Sequence, residues 1–215
     1  MGIYIETLIL YILLFFSGSA AFFTGQTAVF AGFSAAAEFV KIILYYIPSL
    51  ALIWYLIFKA QKTEIQAIKP GKKDLVSGLI ALPCLLITGS AVTLTASHIS
   101  GTAVRLTFYS PSTAPEWIIL CFVCIFSACL EESYFRFYLL SRREEMNLNP
   151  APALALSVVL FSVCHIYAGF WSFLNAAISG AFLGLIFLRY KSIHGIAAAH
   201  ALYNISAFVI NALMN

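Results

Sequence analysis

Long apolar runs bounded by short polar breaks recur along the whole chain. The hydrocarbon core of a bilayer takes about 20 apolar residues per helix, and on that ruler the pattern predicts about seven spans. They are Ile3–Phe23, Ile42–Phe58, Leu75–Thr95, Trp117–Leu140, Pro152–Tyr167, Phe170–Leu188 and Ile193–Leu213. The stretch Gln26–Phe39 is apolar, rich in alanine and too short to cross alone. It reads as an interfacial or re-entrant piece, or as an extension of the first two spans into an eighth crossing. The connections Gln61–Asp74 and Ala96–Glu116 are long and the others short. No internal repeat or low-complexity linker divides the chain. The expected fold is an all-α membrane protein, a polytopic bundle of about seven or eight transmembrane helices. Residues 1–215 read as a single integral membrane domain.

Composition agrees. Hydrophobic residues make up 62% of the 215 positions and charged ones 10%. A water-soluble globule of that size has too few polar side chains to cover so much apolar surface. The net charge is +3, from 12 Lys and Arg against 9 Asp and Glu, which leaves almost no electrostatic footprint for nucleic acid. Cys84, Cys121, Cys124, Cys129 and Cys164 all lie inside apolar runs, an odd number that argues against a disulfide framework. The C-x-x-C at Cys121 and Cys124 reads as small packing residues rather than a redox or metal motif. The first apolar run is preceded by Glu6 and no basic residue, so it reads as a retained span and not a cleaved signal peptide.

Basic residues set the expected orientation. Lys59, Lys62, Lys69, Lys72, Lys73, Arg142, Arg143, Arg189 and Lys191 fall on one side of a seven-span arrangement, against Lys41 and Arg105 on the other. That puts the N-terminus and the Lys-rich loop in the cytoplasm. The loop is expected to set topology and contact anionic lipid.

Ionisable groups within hydrocarbon cost at least a few kcal/mol each and are functional hypotheses by default. The fourth span carries Glu131, Glu132 and Arg136, the fifth His165, and the seventh His200 and Asn204. Glu132 and Arg136 are i and i+4, stacked for a bidentate ion pair. Glu131 is turned about 100° from Glu132 and has no local partner, which suits it to general acid–base work. His200 and Asn204 share one helix face. At about 1.5 Å per residue, Glu131 lies roughly 15 Å from Arg142, and His200 roughly 12 Å from Lys191. On the same rise His165 lies roughly 20 Å into its span. Three helices thus bring polar groups to similar depth. Structural polar clasps between helices are the bland alternative, but two glutamates, an arginine, two histidines and an asparagine at matched depth favour a site.

In order and spacing these residues stand as Glu131-Glu132-x-x-x-Arg136, Phe161-x-x-x-His165 and His200-x-x-x-Asn204. The set resembles the signature of the CPBP family of intramembrane proteases, which includes the type II CAAX prenyl endopeptidases and bacterial abortive-infection or bacteriocin-processing proteins. The resemblance covers Trp117–Leu213, which would be the catalytic core. The N-terminal spans show nothing diagnostic.

Residue by residue, the resemblance implies that Glu131 and His165 hold and activate a water. His200 and Asn204 would stabilise the oxyanion, Glu132 and Arg136 would fix geometry or contact substrate, and Phe161 would pack the site. It implies a protein or peptide substrate with an extended tail at the membrane, prenylated in the best-known members. It also implies a multi-pass protein of a bacterial or archaeal plasma membrane. A His₂Glu zinc site on Glu131, His165 and His200 is the alternative. H-E-x-x-H is absent and the ligands would come from three helices, so no metal and no cofactor is expected. The rival class is a non-enzymatic membrane protein, either a bacteriocin immunity factor or a small-solute or proton transporter. Pro48 and Pro83 interrupt spans, but without the repeat a transporter favours.

Four lesser features complete the reading. His194 is expected at an interface and His98 in a solvated loop. Gly180 and Gly184 form a G-x-x-x-G that suits packing within the bundle. Trp117 and Trp171 sit where aromatic belts form.

Overall fold

The computed structural model describes residues 2–23, 33–61, 70–101 and 111–214. Seven continuous helices and one short 3₁₀ segment follow one another among the described residues. We label them α1 (Gly2–Phe23), α2 (35–61), α3 (Lys72–Ser100), α4 (114–140), α5 (Pro150–Val163), α6 (Phe170–Tyr190) and α7 (Ile193–Met214). Five of these contain stretches long and apolar enough to cross a membrane: Ala35–Lys59, Lys72–Ser100, Ala114–Leu140, Phe170–Tyr190 and Ile193–Leu213. Gly2–Phe16 and Pro150–Val163 are shorter apolar helices. Large side chains such as Leu13, Leu44, Leu79, Ile87, Phe122 and Leu185 project outward. Outward-facing apolar residues of this kind are what an integral membrane protein presents to lipid.

The spans differ from expectation at two places. The second begins at Ala35, so part of the Gln26–Phe39 stretch extends it; residues 24–32 lie outside the described residues, as do Lys62, Lys69 and Arg105. The fifth ends at Val163, with Cys164 as its C-cap, and not at Tyr167. His165 therefore stands in the turn after the helix, before the 3₁₀ segment Ile166–Ala168. The cause is local. The carbonyls of a helix's last turn lack helical partners, and His165 Nδ1 lies 2.8 Å from the carbonyl of Phe161. Gly169, at φ 94°, then adopts a left-handed conformation open to glycine and turns the chain into α6.

Two helices change period midway. α2 passes through a π-helical turn at Ile42–Tyr46, and α4 becomes π-helical over Ser133–Leu140, directly after Glu131 and Glu132. Wider turns of this kind are frequent at functional sites because they re-aim side chains.

α7 packs between α3 and α4, and α6 lies against α3 and α5. A tyrosine ladder holds α1 on the same core. The Tyr11 hydroxyl donates to the Leu160 carbonyl at 3.0 Å and that of Tyr134 to the Thr7 carbonyl at 2.7 Å. At one end Glu6 accepts from Tyr138 at 2.6 Å and from Arg142 at 2.7 Å. Gly180 and Gly184 serve packing within the chain, since a Cβ would stand 2.8 Å from Phe161 Cδ1 at the first and 2.3 Å from Leu154 Cδ1 at the second. All five thiols are free.

A close helix contact joins the starts of α3 and α7. Asp74 accepts from the Gly71 amide at 2.8 Å, from Ser192 Oγ at 2.5 Å and from the Gly195 amide at 3.4 Å, so one carboxylate caps two helices. A Cβ on Gly195 would lie 2.0 Å from the Asp74 carbonyl oxygen and 2.2 Å from Ser77 Oγ. Gly195→Ala is expected to push α7 off α3 and destabilise the protein by about 1–3 kcal/mol, the usual cost of overpacking. Thermal unfolding in detergent should show it. Gly2→Ala, which meets nothing within 4 Å, is the control.

Candidate active site

Glu131 and Glu132 leave α4 on different faces, as their separation in sequence requires. Glu132 is fully buried and Arg136 lies 3.2 Å from it (Nε to Oε2), both at 0% exposure. An i, i+4 ion pair therefore forms, with Arg136 on the π-helical stretch, but through Nε alone and not as the bidentate pair expected from spacing. The guanidinium also donates through Nη2 to the Gly180 carbonyl at 3.2 Å and lies 4.4 Å from the Phe161 ring centroid. Glu132 has a second partner that spacing did not reveal. Its Oε1 is 2.9 Å from His200 Nδ1, which ties α4 to α7 across the bundle.

Each imidazole is fixed by its Nδ1. A carbonyl can only accept, so His165 carries a proton on Nδ1 toward Phe161, and its Nε2 is left to face Glu131. A carboxylate accepts in the same way, so His200 donates through Nδ1 to Glu132 and also turns Nε2 toward Glu131. Glu131 Oε2 lies 4.0 Å from His165 Nε2 and 3.9 Å from His200 Nε2. That oxygen is buried and accepts no hydrogen bond. Phe161 braces both rings, with centroid separations of 4.8 Å to His165 and 5.9 Å to His200.

Glu131, Glu132, Arg136, Phe161, His165 and His200 thus form one connected cluster. Asn204 makes no hydrogen bond to it. One turn beyond His200 on α7, it is half-buried, and its side chain makes no hydrogen bond among the described residues. His194, one turn and a half before His200, lies near the Asp74 clasp at the start of α7. Among the described residues no group of three or more His, Cys, Asp or Glu is disposed to hold a metal ion.

A cavity of about 350 Å³ reaches Glu131 and His165. Its other walls come largely from helices where the sequence offered no motif: Leu14 and Phe15 of α1, and Lys41, Tyr45 and Tyr46 of α2. The signal that existed was a lysine and two adjacent tyrosines within one apolar run. Tyr45 holds the wall in place by donating its hydroxyl to the Leu14 carbonyl. Toward Arg142 the cluster is sealed. Tyr134, Phe135, Tyr138, Leu139 and Leu140 are all at 0% exposure.

Residues 113–206 match the family model described as Rce1-like, type II CAAX prenyl endopeptidase. The match takes in every motif residue, from Glu131 to Asn204, and leaves out α1, α2 and α3. No curated protein and no solved structure matches the chain.

Proposed function

We propose, from the Rce1-like character of residues 113–206, which makes this chain an intramembrane protease of the CAAX type, that it is a glutamate-type endopeptidase. The observation that carries the reading is Glu131 Oε2, 3.9 and 4.0 Å from two imidazole nitrogens and at the wall of a cavity. Those separations are too long for direct hydrogen bonds and suit a single bridging water.

In this mechanism Glu131, with His165 Nε2 as the second acceptor, takes a proton as the water oxygen bonds to the scissile carbonyl carbon. Negative charge then develops on the carbonyl oxygen, where His200 and Asn204 supply donors. His200 donates through Nε2 as an imidazolium, with Glu132 as its counter-ion at Nδ1. As the C–N bond breaks, Glu131 returns its proton to the leaving amine. Glu132 and Arg136 position His200, and Phe161 packs the imidazoles and excludes lipid. The catalytic core is 117–213 within the single membrane domain 1–215. The reading needs no metal or cofactor, in keeping with the lack, among the described residues, of a group of three or more His, Cys, Asp or Glu disposed to hold a metal ion.

The substrate is a protein or peptide whose extended tail or membrane segment reaches the cavity. Prenylation is not required by any residue lining it. The basic end, with Lys59, Arg142 and Lys191, faces the cytoplasm of a bacterial or archaeal cell.

The test is a comparison of membrane-fraction peptides from host cells with and without the protein. Defined cleavage products should disappear on deletion, and purified protein should generate them in the presence of EDTA or phenanthroline. An unchanged peptide profile would return the chain to the immunity-factor or transporter class. Activity lost to chelation and restored by zinc would replace the metal-free mechanism with the His₂Glu one.

A further inference from the structure

We infer that Lys41 is the residue that receives the free C-terminal carboxylate of the substrate tail. The inference rests on the proteolytic reading and names the group that recognises the end of the tail.

Among the described residues that line the cavity reaching Glu131 and His165, one is a lysine or arginine, Lys41. The Lys41 side chain is 47% exposed and its ammonium has three N–H donors. Its neighbours engage it loosely. Glu38 Oε2 lies 3.7 Å away, beyond hydrogen-bond reach, and the Tyr46 ring centroid is 5.6 Å off. The Glu38 oxygen itself is buried without a hydrogen bond. A surface pair one turn apart at that distance contributes little, so Lys41 keeps donors for a ligand.

Charge decides where a peptide tail can place its end. An α-carboxylate is costly in a cavity bounded by apolar side chains unless it is paired. It cannot rest beside Glu131, because like charges repel strongly at low dielectric. Lys41 is the site within the same cavity that accepts it. With the carboxylate there, the preceding peptide bonds run back toward Glu131 and His165. An internal loop or transmembrane segment brings no such anion and gains nothing from the lysine. α2 lies outside the family-matched residues, so this selectivity belongs to the part of the chain that the motifs do not describe.

The experiment uses full-length protein in proteoliposomes and one pooled library of hydrophobic peptides, synthesised both as free acids and as C-terminal amides. Cleavage is read by mass spectrometry as the acid-to-amide ratio of kcat/KM. The wild type should prefer acids by roughly tenfold or more, the worth of a charge-assisted hydrogen bond. Lys41→Gln should bring that ratio close to one, and Lys41→Arg should keep it high. A wild-type ratio near one overturns the inference while leaving the endopeptidase reading standing. So does a Lys41→Gln variant that still prefers acids. A wild type that cleaves neither form removes the endopeptidase reading and this inference together.

Discussion

Glu131→Gln should lower kcat for peptide hydrolysis by roughly 10²–10⁴-fold, the range that a positioned general base contributes. The substitution is nearly isosteric and removes only the ability to take and return a proton. Glu131 Oε2 has no hydrogen bond within the protein to lose. Membrane insertion and thermal stability should therefore stay close to wild type. The measurement is single-turnover cleavage of a substrate found by peptide comparison. Activity within a few-fold of wild type would show that another group activates the water. Glu132→Gln makes the informative contrast, because Glu132 touches His200 and Arg136 and lines no part of the cavity.

Arg136→Met should be the most destabilising single change in the core, by about 3–5 kcal/mol, because it strands a buried carboxylate. Glu132 would keep His200 at 2.9 Å but lose Arg136 at 3.2 Å. The Gly180 carbonyl would lose its donor and Phe161 its cation at 4.4 Å. The double variant Glu132→Gln, Arg136→Met should recover much of the loss, since an apolar or neutral replacement of a whole buried pair is often well tolerated. Thermal unfolding of the three proteins in one detergent checks this. A single variant as stable as wild type would mean that His200 alone neutralises Glu132.

The helices, their order and the chemistry of α4, α5 and α7 were legible because hydrocarbon makes charge conspicuous. Glu132 and Arg136 announced their pairing through a four-residue separation, and they pair at 3.2 Å. What local periodicity hid was everything that depends on helices meeting. The bond between His200 and Glu132 joins residues 68 positions apart. Lys41, Tyr45 and Tyr46 form a cavity wall where the helix passes through a π-helical turn at Ile42–Tyr46, and no apolar pattern distinguishes that turn from an α-helical one. His165 was expected inside a helix because Cys164, Ile166 and Tyr167 continue the apolar run. The helix stops instead at Val163, where the His165 imidazole turns back to the Phe161 carbonyl and Gly169 then reverses the chain.

The early end of α5 has a consequence for the surrounding lipid. Its 14 residues rise only about 21 Å, against a hydrocarbon core of about 30 Å. Acyl chains flanking this helix must shorten or splay to match it, so the bilayer is pinched beside the 165–169 turn. Headgroups and bulk solvent are drawn inward at the one place where a hydrolase buried in fat most needs to be wetted.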